Sequence, residues 1–414
     1  MAAPKYQAPR GTFDVLPDAA RARRRIEHAA AAIFSRAGYE PIATPSFEDT
    51  ELFERGVGHS TDIVRKEMFT FEDKGGRSLT LRPEGTASIC RAYLEHGMQQ
   101  LAQPVKLSYL GPFFRHERPQ AGRYRQFHQL GAEVIGSDSP LADAEVIGLL
   151  AGLVAELGVP GVELRLGSLG SLGARQAYLA ELKAHLHAHE GELAKEVRER
   201  IDANPLRAFD SDDEGTRAVM ASAPKLIERL EGGDAEHFAE VRALLDAAGV
   251  AYTIDPTLVR GLDYYTRTIF SFVCDRLGAQ SEIGGGGRYD GLIEQLGGSP
   301  TPAVGWAAGI ERIMLALGEE VEAAPRDVFV AVADGEQAKL ALVLAGELRK
   351  AGLSAEIDLG GRGLKGQLKQ ADRVGARRVL ILEQDGAQLR DMASGEQRPV
   401  ETGSLIEEIT GGEA

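Results

Sequence analysis

The stretch of sequence that decides the fold is "FFRHERPQAGRYRQFHQLGAE", residues 113–133. Apolar residues dominate segments 105–115 and 124–135 on either side of "HERPQAGR", whose Pro and Gly are typical of a hairpin loop. The pattern therefore predicts two strands joined by a short loop. Four arginines lie in this hairpin: Arg115, Arg118, Arg123 and Arg125. Because the whole chain has 47 basic and 62 acidic residues, this local positive charge needs an explanation.

One face of the second strand carries residues suited to binding a polar molecule. Side chains two apart along a strand share a face, so Phe127, Gln129, Gly131 and Glu133 are expected to lie together. Gly131 has no side chain and is expected to leave space between Gln129 and Glu133. Arg115, at the end of the first strand, has a planar donor fork that suits phosphate or carboxylate. The alternative is a solvated hairpin with surface ion pairs, and these residues alone do not decide between the two.

The composition predicts a soluble, multidomain protein of the cytoplasm. A length of 414 residues favours two or three domains, and 43% hydrophobic with 26% charged residues is ordinary for globular proteins. Cys90 and Cys274 form no C-x-x-C pair, which favours reduced thiols. The N-terminus lacks the apolar core of a signal peptide, and no run approaches the roughly 18 apolar residues of a membrane span. The net charge of −15 argues against non-specific coating of nucleic acid but permits local basic patches.

The order of predicted elements divides the chain into segments. A helix rich in Ala and Arg is predicted over 19–40, ended by Gly38, and a second helix over 140–159. Amphipathic helices with a polar connection mark 172–250 as a helical insertion. After a charged linker at 318–327, strands and helices alternate as in a small α/β domain.

Two motifs favour a structural interpretation when each is taken alone. In "LRPEGTASICRAYLEH" (81–96), Glu84 and Thr86 precede a helix, where a helix cap is the simplest explanation. In "HLHAH", His185 and His189 have the i, i+4 spacing of a metal pair. No other ligand cluster accompanies them, so we interpret them as surface residues and identify no metal site.

Arginine and aromatic residues occur together in "LVRGLDYYTRTIFSF" (258–272), which we interpret as a strand. Arg260 and Tyr265 are an odd number of residues apart, so a regular strand would place them on opposite faces. Gly261 permits a break or a bulge in the strand that would realign them.

Small residues surround two further arginines, Arg288 and Arg312. In "SEIGGGGRYDGLIEQLGG" (281–298), four consecutive glycines precede Arg288 and indicate close approach of the backbone to another group. This stretch does not match a P-loop. "AVGWAAGIERI" (303–313) predicts a strand followed by a helix with Arg312 in its first turns. That arginine lies either on a plain helix surface or over a planar ligand.

Taken together, these stretches resemble the histidyl-tRNA synthetases, a family of class II aminoacyl-tRNA synthetases. The hairpin at 113–133 looks like motif 2 of the class, and "GIERI" (309–313) looks like motif 3. The helix over 19–40 with Pro45 looks like motif 1, which builds the dimer interface in this class. "LVRGLDYY" and "GGGRYDGL" resemble the two histidine-specific signatures of the family. Those signatures make the resemblance specific, whereas motif 2 alone indicates only the class.

The resemblance covers nearly the whole chain. It begins at "RGTFDVLPD" (10–18), includes "LRPEGT", and ends in "DLGGRGLKGQLKQADRVGARRVLIL" (358–382), which resembles the family's anticodon-binding domain. Gly284 extends the family's glycine run to four. The helical insertion matches the family least, which leaves its contact with tRNA the most open point.

This resemblance implies a fold and a set of domains. The fold is an α+β catalytic domain built on an antiparallel sheet, with a helical insertion and a C-terminal α/β domain. The catalytic domain is expected at 1–171 and 251–320, the insertion at 172–250 and the anticodon-binding domain at 326–414. A homodimer is implied as well.

An activity is also implied: ATP-dependent activation of L-histidine to histidyl-adenylate, followed by transfer of histidine to the 3′ end of tRNA(His) in protein biosynthesis. By their match to the motifs, Arg115 and Arg260 are expected to be the catalytic residues that hold the α-phosphate and the histidine carboxylate. Arg123 and Arg312 are expected to contact the outer phosphates of ATP. The resemblance also implies Mg²⁺ on these phosphates, without indicating its ligands.

Recognition of histidine is expected to involve residues from three stretches. Glu133 and Tyr265 would bind the two ring nitrogens, which leaves buried groups unpaired when another side chain enters. The residues expected to hold the ammonium and carboxylate groups are Glu84, Thr86 and Gln129, together with the two catalytic arginines. Tyr264 and Tyr289 would line the pocket.

Binding of tRNA is expected in the tail, where residues 361–378 hold six basic and one acidic side chain. The candidate phosphate contacts are Arg362, Lys365, Lys369 and Arg377. A solvated basic helix is the alternative.

Two other functions are weighed against this one. A synthetase-like regulatory subunit of a histidine-biosynthesis enzyme would sense histidine without charging tRNA. Such proteins typically lack the signature arginine and the anticodon domain, whereas this chain has Arg260, Arg312 and a full C-terminal domain. A generic ATP-dependent carboxylate ligase, such as a biotin ligase, does not account for the histidine signatures.

Overall fold

The structure is a computed structural model that describes residues 6–58, 61–318, 323–333 and 335–410. The chain divides into two compact units, Met1–Val321 and Glu322–Ala414. Within the described residues, no helix has the length and apolar character needed to cross a lipid bilayer.

The first unit is built around a large, mainly antiparallel sheet. Its strands are β1 (Glu40–Pro41), β2 (Phe47–Asp49), β3 (Phe69–Glu72), β4 (Ser78–Leu81), β5 (Val105–Phe114), β6 (Gln126–Ile135), β7 (Val162–Ser168), β8 (Thr253–Ile254), β9 (Thr266–Cys274), β10 (Glu282–Arg288) and β11 (Ala303–Gly309). Within the described residues, eight strands form one sheet in the order β1-β5-β6-β11-β10-β9-β7-β8. Its neighbours pair antiparallel except β1 with β5 and β7 with β8 at the two edges. A smaller sheet has the order β2-β4-β3.

Helices cover both faces of the large sheet. They are α1 (Pro17–Arg36), α2 (Thr50–Val57), α3 (Thr86–Glu95), α4 (Pro140–Leu157), α5 (Leu172–Ala188), α6 (Lys195–Arg198), α7 (Glu214–Ala221), α8 (Gly232–Ala247), α9 (Leu292–Gln295) and α10 (Ile310–Leu317). The local sequence accounts for the bounds of α4. Ser139 caps its first turn, Pro140 occupies the first position and Gly158, at φ 71°, ends it.

The hairpin predicted from the opening stretch is present as β5 and β6. These strands pair antiparallel in a register that places Tyr109 opposite Gly131. The next neighbour, β11, places Gly305 opposite Glu133. Arg115 follows directly after β5, and its amide donates to the carbonyl of Arg125, so the strand pair continues into the loop.

The segment expected as a helical insertion, 172–250, contributes to two different cores. Its helices α5 and α7 pack through Leu182 and Val219 into the core that also holds Tyr264 and Tyr265. Its last helix, α8, instead packs with α1 and α4 against the opposite face of the sheet. The segment therefore touches the sheet from both sides.

The interpretation of 258–272 as one strand is wrong in its first half. Residues 258–265 form a loop without regular secondary structure, and β9 begins only at Thr266. Arg260 and Tyr265 nevertheless meet, with the guanidinium 5.8 Å from the ring centre. The two side chains meet because the chain around Gly261 is a loop, which agrees with the expected break and not with a bulge in a continuous strand.

The second unit is a five-stranded α/β structure. Its elements are β12 (Val328–Val332), α11 (Ala338–Lys350), β13 (Ala355–Ile357), α12 (Leu364–Arg373), β14 (Arg378–Glu383), β15 (Gly386–Asp391), β16 (Gln397–Val400) and α13 (Leu405–Thr410). Within the described residues, its sheet has the order β13-β12-β14-β15-β16. The alternating strands and helices up to β14 agree with the sequence prediction. The antiparallel hairpin β15–β16 extends the sheet beyond it.

Candidate functional site

A cavity of about 570 Å³ opens in the first unit, where β6, β10 and β11 meet the 258–265 loop. In the described part of the chain, its walls carry charged side chains of both signs. The arginines are Arg115, Arg123, Arg207, Arg260 and Arg312. The carboxylates are Asp62, Glu67, Glu84, Glu117, Asp210, Asp212, Glu282 and Glu311. Volume and charge both suit a polar ligand larger than a single amino acid.

Arg260 enters the cavity from the 258–265 loop and is held by Glu282. Its Nη1 donates a hydrogen bond of 2.6 Å to the Oε1 of Glu282. A Cβ on Gly285 would lie 2.8 Å from that nitrogen, so the glycine run makes room for this pair. Burial acts against the charge of Arg260, but Glu282 and the hydroxyl of Tyr265 raise its pKa further above the ordinary arginine value. Arg260 is therefore a fixed cation.

The remaining predicted arginines line the same cavity from other elements. Arg115 donates from Nε to the carbonyl of Pro83 at 2.9 Å and lies over the ring of Phe127. Arg312, on α10, donates to the carbonyls of Gly122 and Glu282 at 3.0 and 2.6 Å. The structure thus brings the arginines of motifs 2 and 3 together with the arginine of the histidine signature.

Arg123 sits closer to solvent than the other three. Its Nε lies 3.2 Å from the Oε2 of Glu117, and 40% of its side chain is exposed. It lies in the loop between β5 and β6, whose Gly122 receives the hydrogen bond from Arg312. This arginine therefore has more freedom to turn toward a ligand.

Glu84 is both a helix cap and a wall of the cavity. Its two carboxylate oxygens accept hydrogen bonds from the amides of Thr86 and Ala87 at 2.7 and 2.9 Å, which satisfies donors at the start of α3. The hydroxyl of Tyr264 lies 3.4 Å away. Burial raises the pKa of Glu84, although the two amides act in the opposite direction. Glu84 therefore caps the start of α3, as its position before the helix indicated, and also lines the cavity.

Glu133 and Tyr289 lie behind the cavity wall. The carboxylate of Glu133 is fully buried and accepts hydrogen bonds from Thr86 at 2.8 Å and Tyr289 at 2.6 Å. Burial raises the pKa of Glu133 to about 8. Tyr289, expected to line the pocket, is 1% exposed and instead supports Glu133 from behind. Thr86 is the side chain that joins Glu133 to the cavity.

The space expected above Gly131 is already filled by the chain itself. A Cβ at Gly131 would lie 2.3 Å from the ring of Tyr109, the residue opposite it on β5. The expectation of a gap for a ligand at this glycine is therefore wrong. Tyr109 instead forms part of the cavity wall.

Three residues whose side chains line the cavity hold buried polar atoms that have neither a hydrogen bond nor an ion pair among the described residues. These atoms are the Oη of Tyr109, the Oε1 of Gln129 and the Nε of Arg260. An unpartnered buried polar group costs about 1–3 kcal/mol, so native proteins rarely keep several in one place. Their convergence on one cavity indicates that a polar ligand binds there.

Several residues of the cavity were not identified from the sequence. Glu282 comes just before the glycine run, and Arg207 comes from the segment expected as an insertion. Glu311 accepts hydrogen bonds from the backbone and ring of His128, so it ties α10 to β6.

A dedicated metal site is not evident in the described part of the chain. No group of three or more His, Cys, Asp or Glu side chains there has metal-binding geometry. The rings of His185 and His189 instead contact backbone carbonyls, those of Val219 and His185 respectively.

The basic residues expected to bind tRNA are exposed in the second unit. Lys365 and Lys369 lie on α12, four residues apart on one side of the helix. Arg362 and Arg377 flank the helix and form ion pairs with Asp358 and Asp327.

Comparison with known proteins gives one consistent family. Residues 11–313 match the family described as histidyl-tRNA synthetase, and residues 327–411 match the anticodon binding domain. The histidine–tRNA ligase of Halothermothrix orenii is 48% identical over 413 residues, which cover 97% of this chain and 98% of that protein. That of Rubrobacter xylanophilus is 47% identical and covers 98% and 100%.

Solved structures agree with the sequence relatives. The apo histidyl-tRNA synthetase of S. aureus superposes with a TM-score of 0.82 at 36% identity, covering 98% of this chain and 99% of that one. An ATP phosphoribosyltransferase regulatory subunit/histidyl-tRNA synthetase from Bacillus halodurans, at 23% identity and a TM-score of 0.67, shares the fold. On the strength of these matches across nearly its whole length, the chain belongs to the histidyl-tRNA synthetase family.

Proposed function

We propose that this protein is a histidine–tRNA ligase, which activates L-histidine with ATP and transfers it to the 3′ end of tRNA(His). The observation that carries the proposal is the meeting of Arg115, Arg260 and Arg312 in one cavity with unpartnered polar atoms. A histidine-sensing regulatory subunit has no need of three arginines poised for phosphate. Full-length relatives named as histidine–tRNA ligases support the same conclusion.

The first step joins the histidine carboxylate to the α-phosphate of ATP. The carboxylate has a pKa of roughly 3.5, so it is already a nucleophile at neutral pH and needs no general base. Negative charge gathers on the α-phosphate oxygens as pyrophosphate leaves. Arg115 and Arg260 would stabilise that charge, since fixed donors cost no reorganisation during the reaction. The buried, unpartnered Nε of Arg260 supports this role because it has a donor to give.

The outer phosphates of ATP would be held by Arg123 and Arg312. Arg312 reaches the cavity from α10, and Arg123 is the more exposed of the two. A guanidinium suits phosphate oxygens because it offers several donors in one plane. This placement leaves Arg115 and Arg260 for the reacting phosphate.

Magnesium would supply further charge neutralisation on the phosphates. The described residues of the cavity include no three-residue metal cluster, which fits Mg²⁺ because this ion commonly takes one or two carboxylates and otherwise phosphate and water oxygens. The carboxylate of Glu282 faces the cavity and is 38% exposed, so it is the residue that would hold the ion.

Selection of histidine would rest on the inner end of the cavity. Glu84, Thr86 and Gln129 are proposed to hold the ammonium and carboxylate groups, and the unpartnered Oε1 of Gln129 supports this. Tyr265 and Glu133 are proposed to bind the ring nitrogens, with Tyr264 as a wall. Because Glu133 lies behind Thr86 in the free protein, its contact with the ring requires Thr86 to turn aside. Tyr289 would then hold Glu133 in place.

Transfer to tRNA would use both units of the chain. We propose the catalytic domain at 1–171 and 251–320, the insertion at 172–250 and anticodon binding by 326–414. Lys365 and Lys369 are proposed to contact tRNA phosphates together with Arg362 and Arg377, since all four are exposed.

A cytoplasmic homodimer is the proposed form of the enzyme. On the small sheet just after Pro45, Phe47 and Phe71 are 50% and 43% exposed and touch edge to face. Exposed aromatic pairs of this kind are typical of protein interfaces. The buried, free Cys90 and Cys274 agree with a reducing compartment.

Exchange of labelled pyrophosphate into ATP tests the proposed first step. We expect exchange that depends on histidine and is absent with other amino acids. Histidine binding without any exchange would instead favour the regulatory function.

A further inference from the structure

The 258–265 loop carries Arg260, Tyr264 and Tyr265 but has no strand or helix to fix its shape. A loop that must place three site residues needs support from other parts of the protein. That support reaches the loop at Asp263. Its neighbours Leu262 and Tyr264 line the cavity, whereas Asp263 lies outside the described cavity wall.

Arg175, on α5, is the side chain that reaches this point. Its Nη1 donates to the carbonyl of Asp263 and to the carbonyl of Tyr265, each at 3.0 Å. The two carbonyls flank Tyr264, so one guanidinium nitrogen holds the backbone on both sides of that residue. Hydrogen bonds from a charged donor are worth about 1.5–3 kcal/mol, more than those of a neutral one.

The first turn of α5 is a firm base for this contact. The Ser171 hydroxyl caps the helix by accepting from the amide of Ala174. The amide of Ser171 in turn donates to Asp234 on α8 at 2.8 Å, and Asp234 also pairs with Arg267 on β9. The helix start is therefore tied to the sheet, and Arg175 lies one turn further on.

A second contact from the same segment reaches the same loop residue. Asn204 donates from Nδ2 to the Oδ1 of Asp263 at 3.4 Å. These two contacts with Asp263 come from 172–250, the part of the sequence that resembles the family least. A further hydrogen bond, from the amide of Asp263 to the carbonyl of Val57 at 3.2 Å, ties the loop to α2.

We propose that Arg175 is a positioning residue for histidine recognition, which fixes Tyr264 and Tyr265 by holding the backbone between Asp263 and Tyr265. This inference rests on the proposed function of the cavity. It assigns to the helical segment a role in selecting the amino acid, in addition to any contact with tRNA.

The test compares Arg175→Ala and Arg175→Lys with Tyr178→Phe. Tyr178 lies one turn along the same helix, and its hydroxyl donates to the carbonyl of Pro224 at 2.9 Å. Removing that hydroxyl weakens the anchoring of the helix and leaves the hydrogen bonds from Arg175 to the loop in place. Histidine affinity is measured by calorimetry without ATP, and the KM values for histidine and ATP are measured by pyrophosphate exchange.

We expect Arg175→Ala to weaken histidine binding and raise the KM for histidine on the order of tenfold, with less than about a twofold change in the KM for ATP. Arg175→Lys keeps a charged donor and is expected to recover part of the affinity. Tyr178→Phe is expected to lower thermal stability and leave histidine affinity unchanged. If Arg175→Ala does not fold, Arg175→Lys tests the inference instead. Its loss of histidine affinity is expected to be smaller than that of Arg175→Ala.

Unchanged histidine affinity in the folded Arg175 variants, or an equal rise in both KM values, would overturn the inference. Failure of the proposed function looks different. In that case the unaltered protein shows no histidine-dependent exchange, while calorimetry still reports whether Arg175 supports histidine binding.

Discussion

Tyr289 donates a hydrogen bond of 2.6 Å to Glu133, and both side chains are buried behind the cavity. The carboxylate has no water to stabilise its charge, so burial raises the pKa of Glu133 from 4.5 to about 8. The folded protein therefore holds a proton on Glu133 over a pH range in which the unfolded chain does not.

This difference predicts a pH dependence of stability. Between about pH 4.5 and pH 8 the folded state binds the extra proton, so the contribution of Glu133 to the free energy of unfolding falls as pH rises. The slope is at most about 1.4 kcal/mol per pH unit. Glu133→Gln removes the titration, so this variant should gain stability relative to the unaltered protein from pH 5 to pH 8. Denaturant unfolding at several pH values measures the difference.

Glu181→Gln is the matched control for that experiment. Glu181 is exposed on α5, where its hydrogen bonds with Arg229 lower its pKa instead of raising it. Its effect should be constant above about pH 5. If the curves of Glu133→Gln and the unaltered protein run parallel over this range, the buried proton is not present.

Gly305 makes the burial of Glu133 possible. A Cβ at this position would lie 1.6 Å from the Oε2 of Glu133 and 2.6 Å from the backbone oxygen of Ala132. Gly305→Ala should therefore destabilise the first unit by about 1–3 kcal/mol, the usual cost of overpacking, and weaken histidine binding. A thermal melt and calorimetry check the two effects.

Gly152→Ala on α4 provides the comparison, because a Cβ there meets no atom within 4 Å. Alanine is favoured over glycine in a helix by up to about 1 kcal/mol, so this variant should be as stable or more stable. Equal thermal midpoints for the two alanine variants would show that Gly305 is not needed for close approach.

Arg260→His tests the division between binding and chemistry. If Arg260 acts mainly on the charge that develops on the α-phosphate, the variant should bind histidine nearly normally. Its kcat for pyrophosphate exchange should fall on the order of 100-fold or more. Arg229→His, which alters an exposed ion pair with Glu181 away from the cavity walls, should leave kcat unchanged. An equal loss of histidine affinity and of rate would contradict a transition-state role.

Lys365→Ala and Lys369→Ala test the basic helix of the second unit. Their combination should raise the KM for tRNA and lower the slope of log KM against log salt by about 1–2, while pyrophosphate exchange stays normal. Lys350→Ala, at an exposed lysine that ends α11, is the control. A salt slope that the double substitution leaves unchanged would favour the solvated-helix alternative.

The hairpin of β5 and β6 could be predicted because its signals are local: alternating apolar residues and a Pro–Gly loop. The loop at 258–265 could not, since its Val, Leu and Tyr residues favour a strand. Contacts from Arg175 and Asn204, far away in the sequence, hold it in another conformation. Long-range contacts of this kind override local preference, and a single sequence does not reveal them.

The candidate site shows the same limit. Alternation along β6 correctly placed Gln129 and Glu133 on one face, yet only the strand register shows that Tyr109 fills the space at Gly131. The motif resemblance identified four of the cavity's arginines, which are Arg115, Arg123, Arg260 and Arg312. Arg207 and Glu282 could be identified as cavity residues only in the folded chain, because nothing in their immediate sequence points to a binding site.

Charging of tRNA(His) with labelled histidine tests the central claim most directly. The account predicts that the purified protein attaches histidine to tRNA(His) in the presence of ATP and Mg²⁺, and that Arg260→His greatly slows this reaction. A protein that binds histidine and tRNA but forms no histidyl-tRNA would contradict the account.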